Sequence, residues 1–205
     1  MKRDSRDNSA GTPPAKVQKN DSSKVTVRFL IPARAAGLII GKGGENIKKI
    51  RSQYSVKLNI PDNRGIERVF TVEGELSAIA NVVREIVPKI KDVMNAKLSD
   101  PKRIMGYQRP PRRRRGPNGE ELEEEEEDEG MIDLRMLVHQ SVAGSIIGRG
   151  GERIRELRSK HKMRVIKVYQ MLAPLSTDRV VQLVAEPENA INCLESVVEV
   201  VEVCA

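Results

Sequence analysis

Aromatic side chains are scarce: two Phe, three Tyr and no Trp make up 2% of the 205 residues. Folds that stack bases on exposed rings, such as RRM or OB-fold surfaces, need more than this and are not expected. Cysteine is also sparse, with only Cys193 and Cys204, both near the C-terminus. Two clustered thiols make no disulfide framework and suit a reducing intracellular compartment. No Cys/His group shows zinc-ligand spacing, so neither a metal nor another cofactor is expected. Every apolar run falls short of the roughly 18 residues needed to span a bilayer. The opening Met1-Lys2-Arg3-Asp4 lacks the apolar core of a secretory leader.

What the chain has in quantity is charge. There are 36 basic and 29 acidic side chains, for a net charge of +7. A basic balance fits solubility and also a polyanionic partner. A repeat decides between them. Ala36-Gly37-Leu38-Ile39-Ile40-Gly41-Lys42-Gly43-Gly44-Glu45-Asn46-Ile47 returns as Ala143-Gly144-Ser145-Ile146-Ile147-Gly148-Arg149-Gly150-Gly151-Glu152-Arg153-Ile154. At a constant offset of 107, residues 28–52 and 135–159 share 13 identities in 25 positions. Two copies of one domain are implied.

The remaining segments fall around these copies. Residues 1–23 are polar and read as a disordered arm. The first domain, 24–92, predicts a strand from Lys24, a short helix from Ala35 to Ile40, and a basic helix from Glu45 to Tyr54. A strand through Val56, Leu58 and Ile60, another from Arg68 to Val72, and a helix from Leu76 to Ile90 follow. Residues 93–130 hold Arg112 to Arg115 and then a nearly continuous acidic run from Glu120 to Glu129. Like-charge blocks repel themselves, which predicts a disordered linker spanning about 34 Å as a coil and tethering the domains loosely. The second domain, 131–205, repeats the β-α-α-β-β-α order. Strands are expected from Ile132 to Val138, Met163 to Val168 and Arg179 to Val184, with helices at Val142–Ile147, Glu152–Lys160 and Glu188–Val201. The fold class is α+β, each unit an antiparallel three-stranded sheet packed by three helices.

Each repeated stretch joins two helices through four residues that are mostly glycine. A sugar–phosphate chain can approach such a backbone without meeting a Cβ, and the next helix offers its positive end. Outward-facing loop N–H groups, with Lys42 or Arg149 among them, would meet the phosphates. In the second copy Arg149, Arg153, Arg155, Arg158, Lys160, Lys162, Arg164 and Lys167 crowd one region, while the last helix carries Glu188, Glu195, Glu199 and Glu202. This predicts a basic face opposite an acidic one.

The Gly-x-x-Gly loops and the element order resemble the K-homology (KH) domain. Leu137-Val138-His139-Gln140-Ser141-Val142-Ala143-Gly144, Glu156-Leu157-Arg158 and Ser176-Thr177-Asp178-Arg179-Val180-Val181 are similar to the heterogeneous nuclear ribonucleoprotein K and poly(C)-binding branch of that family. So is Asp62-Asn63-Arg64-Gly65-Ile66-Glu67-Arg68 in the first copy. The resemblance implies two type I KH domains, each with an apolar-floored groove for about four nucleotides that favours cytosine. It implies floors of Ile39, Ile40 and Ile47, then Ile146, Ile147 and Ile154, with Ile50 and Leu157 in the core. It implies that Arg51, Arg68, Arg158 and Arg179 reach base edges. The expected contact sets are completed by Gly37, Gly41, Lys42, Gly43, Gly44 and Lys48, and by Gly144, Gly148, Arg149, Gly150, Gly151 and Arg155. The implied ligand is C-rich single-stranded RNA or single-stranded DNA. The implied setting is RNA processing, stability, translation or transcription, in the nucleus with shuttling to the cytoplasm, beside other RNA-binding proteins.

Catalysis is not expected. Gly37 to Lys42 is one residue short of a phosphate-binding P-loop, and Asn46 stands where a dinucleotide fingerprint needs glycine. His139 and His161 have no evident nucleophile or carboxylate partner and read as strand-end and helix-end residues. The competing function is a protein-interaction adaptor in ribonucleoprotein complexes, with nucleic-acid binding secondary; the acidic run either serves that role or competes with the ligand for the basic grooves.

Overall fold

The computed structural model describes residues 24–62, 65–95, 113–115, 121–123 and 130–204. The amino-terminal arm and most of the linker lie outside these. In the first domain, strand β1 (Lys24–Pro32) buries Val27, Phe29 and Ile31 and turns Arg28 and Leu30 to the other face. Pro32 closes the strand and precedes helix α1 (Ala33–Ile40). Helix α2 (Glu45–Tyr54) buries Ile47 and Ile50 and ends at Ser55, which takes a left-handed conformation with φ 53°. Strand β2 is only Lys57–Asn59, shorter than the alternation of Val56, Leu58 and Ile60 suggests. Strand β3 (Glu67–Glu75) is longer than expected and pairs with β1 along all nine residues. Helix α3 runs from Leu76 to Asn95 through Pro88, past the expected end at Ile90 and the expected domain boundary at 92. An interior proline forfeits a backbone hydrogen bond, but Ile86, Val87 and Ile90 around it are all buried and hold the helix to the sheet. The Phe29 and Phe70 rings stack in this core with centroids 5.9 Å apart.

Within the linker, β4 (Arg113–Arg115) and β5 (Glu121–Glu123) pair antiparallel. The register sets Arg113, Arg114 and Arg115 opposite Glu123, Leu122 and Glu121.

The second domain contains β6 (Ile132–His139), α4 (Gln140–Ile147), α5 (Glu152–Lys160), β7 (Val165–Leu172), β8 (Asp178–Ala185) and α6 (Pro187–Cys204). Leu134, Met136, Val181, Leu183, Ile191, Leu194 and Val197 are buried between sheet and helices. Both cysteines are free thiols, Cys193 buried and Cys204 exposed.

The two domains are not loosely tethered. Their sheets merge into one of six strands, in the order β2-β3-β1-β6-β8-β7. At the seam β1 pairs antiparallel with β6, Arg28 opposite Leu137 and Phe29 opposite Met136. The offset of 107 maps Phe29 onto Met136, so this pair sits on a pseudo-two-fold axis. Around it, one ion pair occurs in two versions. Arg28 grips Asp178 with two hydrogen bonds of 2.6 and 2.9 Å. Its image places Arg135 3.8 Å from Glu67. Arg135 also donates to buried Asp133 at 2.7 Å, whose other oxygen accepts from Gln182 at 3.0 Å. Burial works against the Arg135 charge, but Asp133 and Glu67 outweigh it and raise its pKa above the usual arginine value. On the helical side α3 lies beside α6, where Arg84 Nε donates to Glu188 at 2.8 Å. That bond holds the Glu188 carboxyl below the usual range. The acidic face of α6 is therefore partly an interface and not wholly a free surface opposite the basic one.

Candidate nucleic-acid interface

In each domain the helix pair breaks at glycine. After α1, Gly41 adopts φ 73° and ψ 176°, then Lys42–Gly44 forms a 3-10 turn that leads into α2. Gly148 and Arg149–Gly151 repeat this with φ 73° and ψ 175°. A Cβ on Gly41 would sit 2.7 Å from the Asn46 side chain, and one on Gly148 would sit 2.7 Å from Arg153 Cβ. At Gly43 and Gly150 a Cβ would meet nothing within 4 Å, so the loop crest opens outward.

The loop N–H groups do not all face a ligand. Gly41 donates to Gly37 O at 2.9 Å and Gly44 to Gly41 O at 3.2 Å, and the second copy has the same bonds at Gly148 and Gly151. Those bonds fold the loop tightly, so half of the expected outward donors are used internally. Gly37 and Gly144 are exposed just before the loop, while Gly44 and Gly151 lie half-buried at its end.

Exposed cations ring both loops: Lys42, Lys48, Lys49 and Arg51 in the first, and Arg149, Arg153, Arg155 and Arg158 in the second. Arg155 bends back to donate to Gly151 O at 3.1 Å and Gly150 O at 2.9 Å, which holds its charge against the loop. One acidic residue follows each loop in the first helical turn, Glu45 or Glu152, and takes part of the helix's positive end.

The apolar floor differs from expectation at two positions. Ile39 and Ile146 are completely buried and belong to the core, because consecutive isoleucines on a helix point about 100° apart. Ile40, Ile147 and Ile154 are half-buried and Ile47 is nearly covered, so of the six expected floor residues these four lie nearest the surface. Ile50 and Leu157 are in the core, as expected.

The four arginines expected to reach base edges lie at the helix ends and on the strands that follow the loops. Arg51 Nη2 donates to Leu58 O of β2, and Arg158 Nη2 donates to Ile166 O of β7 at 3.2 Å. Each guanidinium bridges its helix to the outer edge strand while remaining exposed. Arg68 and Arg179 extend from β3 and β8 on the same face as Phe70 and Val181, toward the helices. Arg68 Nη2 meets Asp62 at 2.9 Å. The Nε of Arg68 and the Nε of Arg179 are both buried without a hydrogen-bond partner. Two orphaned donors at matching positions are costly unless something accepts from them.

Sequence reasoning passed over Leu38, which is 43% exposed beside the first loop. Its counterpart is Ser145, so matching the two copies gave it no weight. Ile66 and Leu175 are exposed on the loops joining the second and third strands of each domain, and Met171 is exposed near the end of β7. His139 caps α4 by accepting from Ser141 N–H at 3.3 Å, and His161 follows α5 with Nε2 3.0 Å from Ser196 Oγ. Among the described residues no His/Cys/Asp/Glu group is placed to hold a metal, and no helix is long and apolar enough to cross a membrane.

The family model for the KH domain matches residues 26–87 and again residues 133–199. The chain belongs to the KH domain family. Among solved structures it is similar to the first KH type I domain of human vigilin, at 20% identity and TM-score 0.32, over 46% of this chain and 97% of that one. It is also similar to repeat 6 of vigilin, at 28% identity and TM-score 0.28, over 31% of this chain and 90% of that one. Dim2p from Pyrococcus horikoshii OT3 matches at 15% identity and TM-score 0.30, over 87% of this chain and 90% of its own. Two tandem type I KH domains, each an antiparallel sheet packed by three helices, account for the fold. KH domains bind single-stranded nucleic acid, with a Gly-x-x-Gly loop clamping the backbone.

Proposed function

We propose that this KH protein selects C-rich single-stranded RNA, and C-rich single-stranded DNA where it meets it, without catalysing a reaction. The supporting observation is the matched arginine pair in each groove: Arg51 with Arg68, and Arg158 with Arg179. Cytosine presents two adjacent acceptors, O2 and N3, to such donors. Uracil sets an N–H donor at N3 against them, and a donor facing a donor leaves both unpaired. Through such binding the protein acts on RNA processing, stability or translation, or on transcription, in the nucleus and on passage to the cytoplasm. Its kinship within the family is then with the heterogeneous nuclear ribonucleoprotein K and poly(C)-binding branch.

The test is equilibrium binding of C-rich, U-rich and A-rich oligonucleotides at two salt concentrations. Variants Lys42→Asp with Gly43→Asp, and Arg149→Asp with Gly150→Asp, replace the loop crests where added side chains meet open space. Each pair should weaken C-rich binding about tenfold or more, on the scale of losing a charge-assisted hydrogen bond. The salt slope should fall by about 0.7 for each phosphate that the protein no longer neutralises. Unchanged binding by folded variants would remove the grooves as the site and leave the adaptor reading in their place.

A further inference from the structure

The seam between the domains fixes how the two grooves face each other. The sheet order is a palindrome about β1 and β6, since β1, β2 and β3 of the first domain correspond to β6, β7 and β8 of the second. Phe29 opposite Met136 lies on the axis, and the Arg28–Asp178 and Arg135–Glu67 pairs are images of each other across it. Because α3 and α6 lie beside each other over the seam, the helices of both domains cover one face. The pseudo-two-fold axis is therefore perpendicular to the sheet. Rotation by half a turn about such an axis reverses every direction in the sheet plane. A nucleic-acid strand running alongside β2 in the first groove must run the opposite way alongside β7 in the second.

The separation follows from the same order. Arg51 ties α2 to β2 and Arg158 ties α5 to β7, so each groove lies at an outer edge of the sheet. Five interstrand steps of about 4.8 Å put those edges about 24 Å apart. Resting on the reading of both grooves as clamps for C-rich single strands, we infer that the preferred ligand is a strand that doubles back. It carries two C-rich tracts joined by a spacer that crosses about 24 Å, which is about seven nucleotides at a stacked rise of about 3.4 Å. The linked protein is a reader of tract spacing as well as of base identity. Tandem sites closer together than the span cannot fill both grooves of one molecule.

Synthetic strands with two short cytosine tracts and adenine spacers of about two to about fifteen nucleotides test this against a single-tract strand. Affinity should rise sharply once the spacer spans the grooves, by about 10²–10⁴ over one tract, and then decline slowly. Fluorescence transfer between dyes at the 5′ and 3′ ends should show the bound ends drawn together, at a distance that stays constant as the spacer lengthens. A variant with Arg28→Glu and Arg84→Glu sets like charges against Asp178 and Glu188 across the seam. It should keep single-tract affinity within about twofold while losing the spacer optimum and the constant end-to-end distance. If wild-type protein binds single tracts but shows end-to-end distances that grow with the spacer, the antiparallel arrangement is wrong and the groove reading survives. If single tracts fail to bind, both fall.

Discussion

Replacing Gly148 by alanine is the sharpest check on how the loop is held. At φ 73° and ψ 175° its backbone lies in a region open essentially to glycine alone, which costs about 1–3 kcal/mol for another residue. The new Cβ would also stand 2.7 Å from Arg153 Cβ and 3.0 Å from Arg153 N. The second of these is backbone of α5, so relief requires the helix start to shift, and overpacking of that kind costs about 1–3 kcal/mol. Together the two effects predict a loss of about 2–6 kcal/mol. Gly150 is the control. Its φ of 58° and ψ of 18° are ordinary left-handed values, and a Cβ there meets nothing within 4 Å. Gly150→Ala should cost only the left-handed penalty of about 1–2 kcal/mol. Urea and thermal unfolding followed by circular dichroism should place the Gly148→Ala midpoint about 10–20 °C below that of Gly150→Ala, at about 4–8 °C per kcal/mol for a domain of this size. If the two variants unfold within about 0.5 kcal/mol of each other, contact with the helix does not set the loop and the argument fails.

The two neighbouring isoleucines of the first domain should separate by phenotype. Ile39→Ala removes a fully buried side chain and should destabilise by about 2–5 kcal/mol, whereas Ile40→Ala should chiefly weaken C-rich binding; equal effects on unfolding would restore Ile39 to the floor. Burial, with the nearby Lys160 charge, lowers the His161 pKa below its ordinary 6.5. The unfolded chain therefore takes up the proton first, so the contribution is complete above about pH 6.5 and is withdrawn as pH falls through the folded-state value. His161→Gln keeps a partner for Ser196 and should flatten the fall in unfolding midpoint between about pH 7.5 and about pH 5.5, and an unaltered slope would assign the loss to other groups.

The order of elements in each domain was legible because glycine pairs, proline and a 3.6-residue apolar period punctuate the chain plainly. Helix phase was harder to read at Ile39-Ile40, where both residues are apolar and only packing shows which one faces inward. The seam was not legible at all. Arg28 and Arg135 stood out only as one identity among 13, since an arginine on the outer face of a strand reads as solvated until a carboxylate is found opposite it. Asp178 lies 150 positions from Arg28, and no local pattern relates them. The charged linker misled for a related reason. Its composition describes how that segment behaves by itself, while the placement of the domains is set by the strand edges it connects.

The Arg84–Glu188 contact also decides which domains marry. Under the correspondence of α3 with α6, Arg84 maps onto Glu195 and Glu188 maps back onto Ser77. Two first domains meeting edge to edge would face Arg84 with a serine, and two second domains would face Glu195 with Glu188. Only the mixed couple joins opposite charges on the helical side, although the arginine–carboxylate pairs on the sheet side suit any combination. An exposed β1 or β6 edge would otherwise recruit the same edge of another chain. The asymmetry makes a first domain prefer a second domain over another copy of itself.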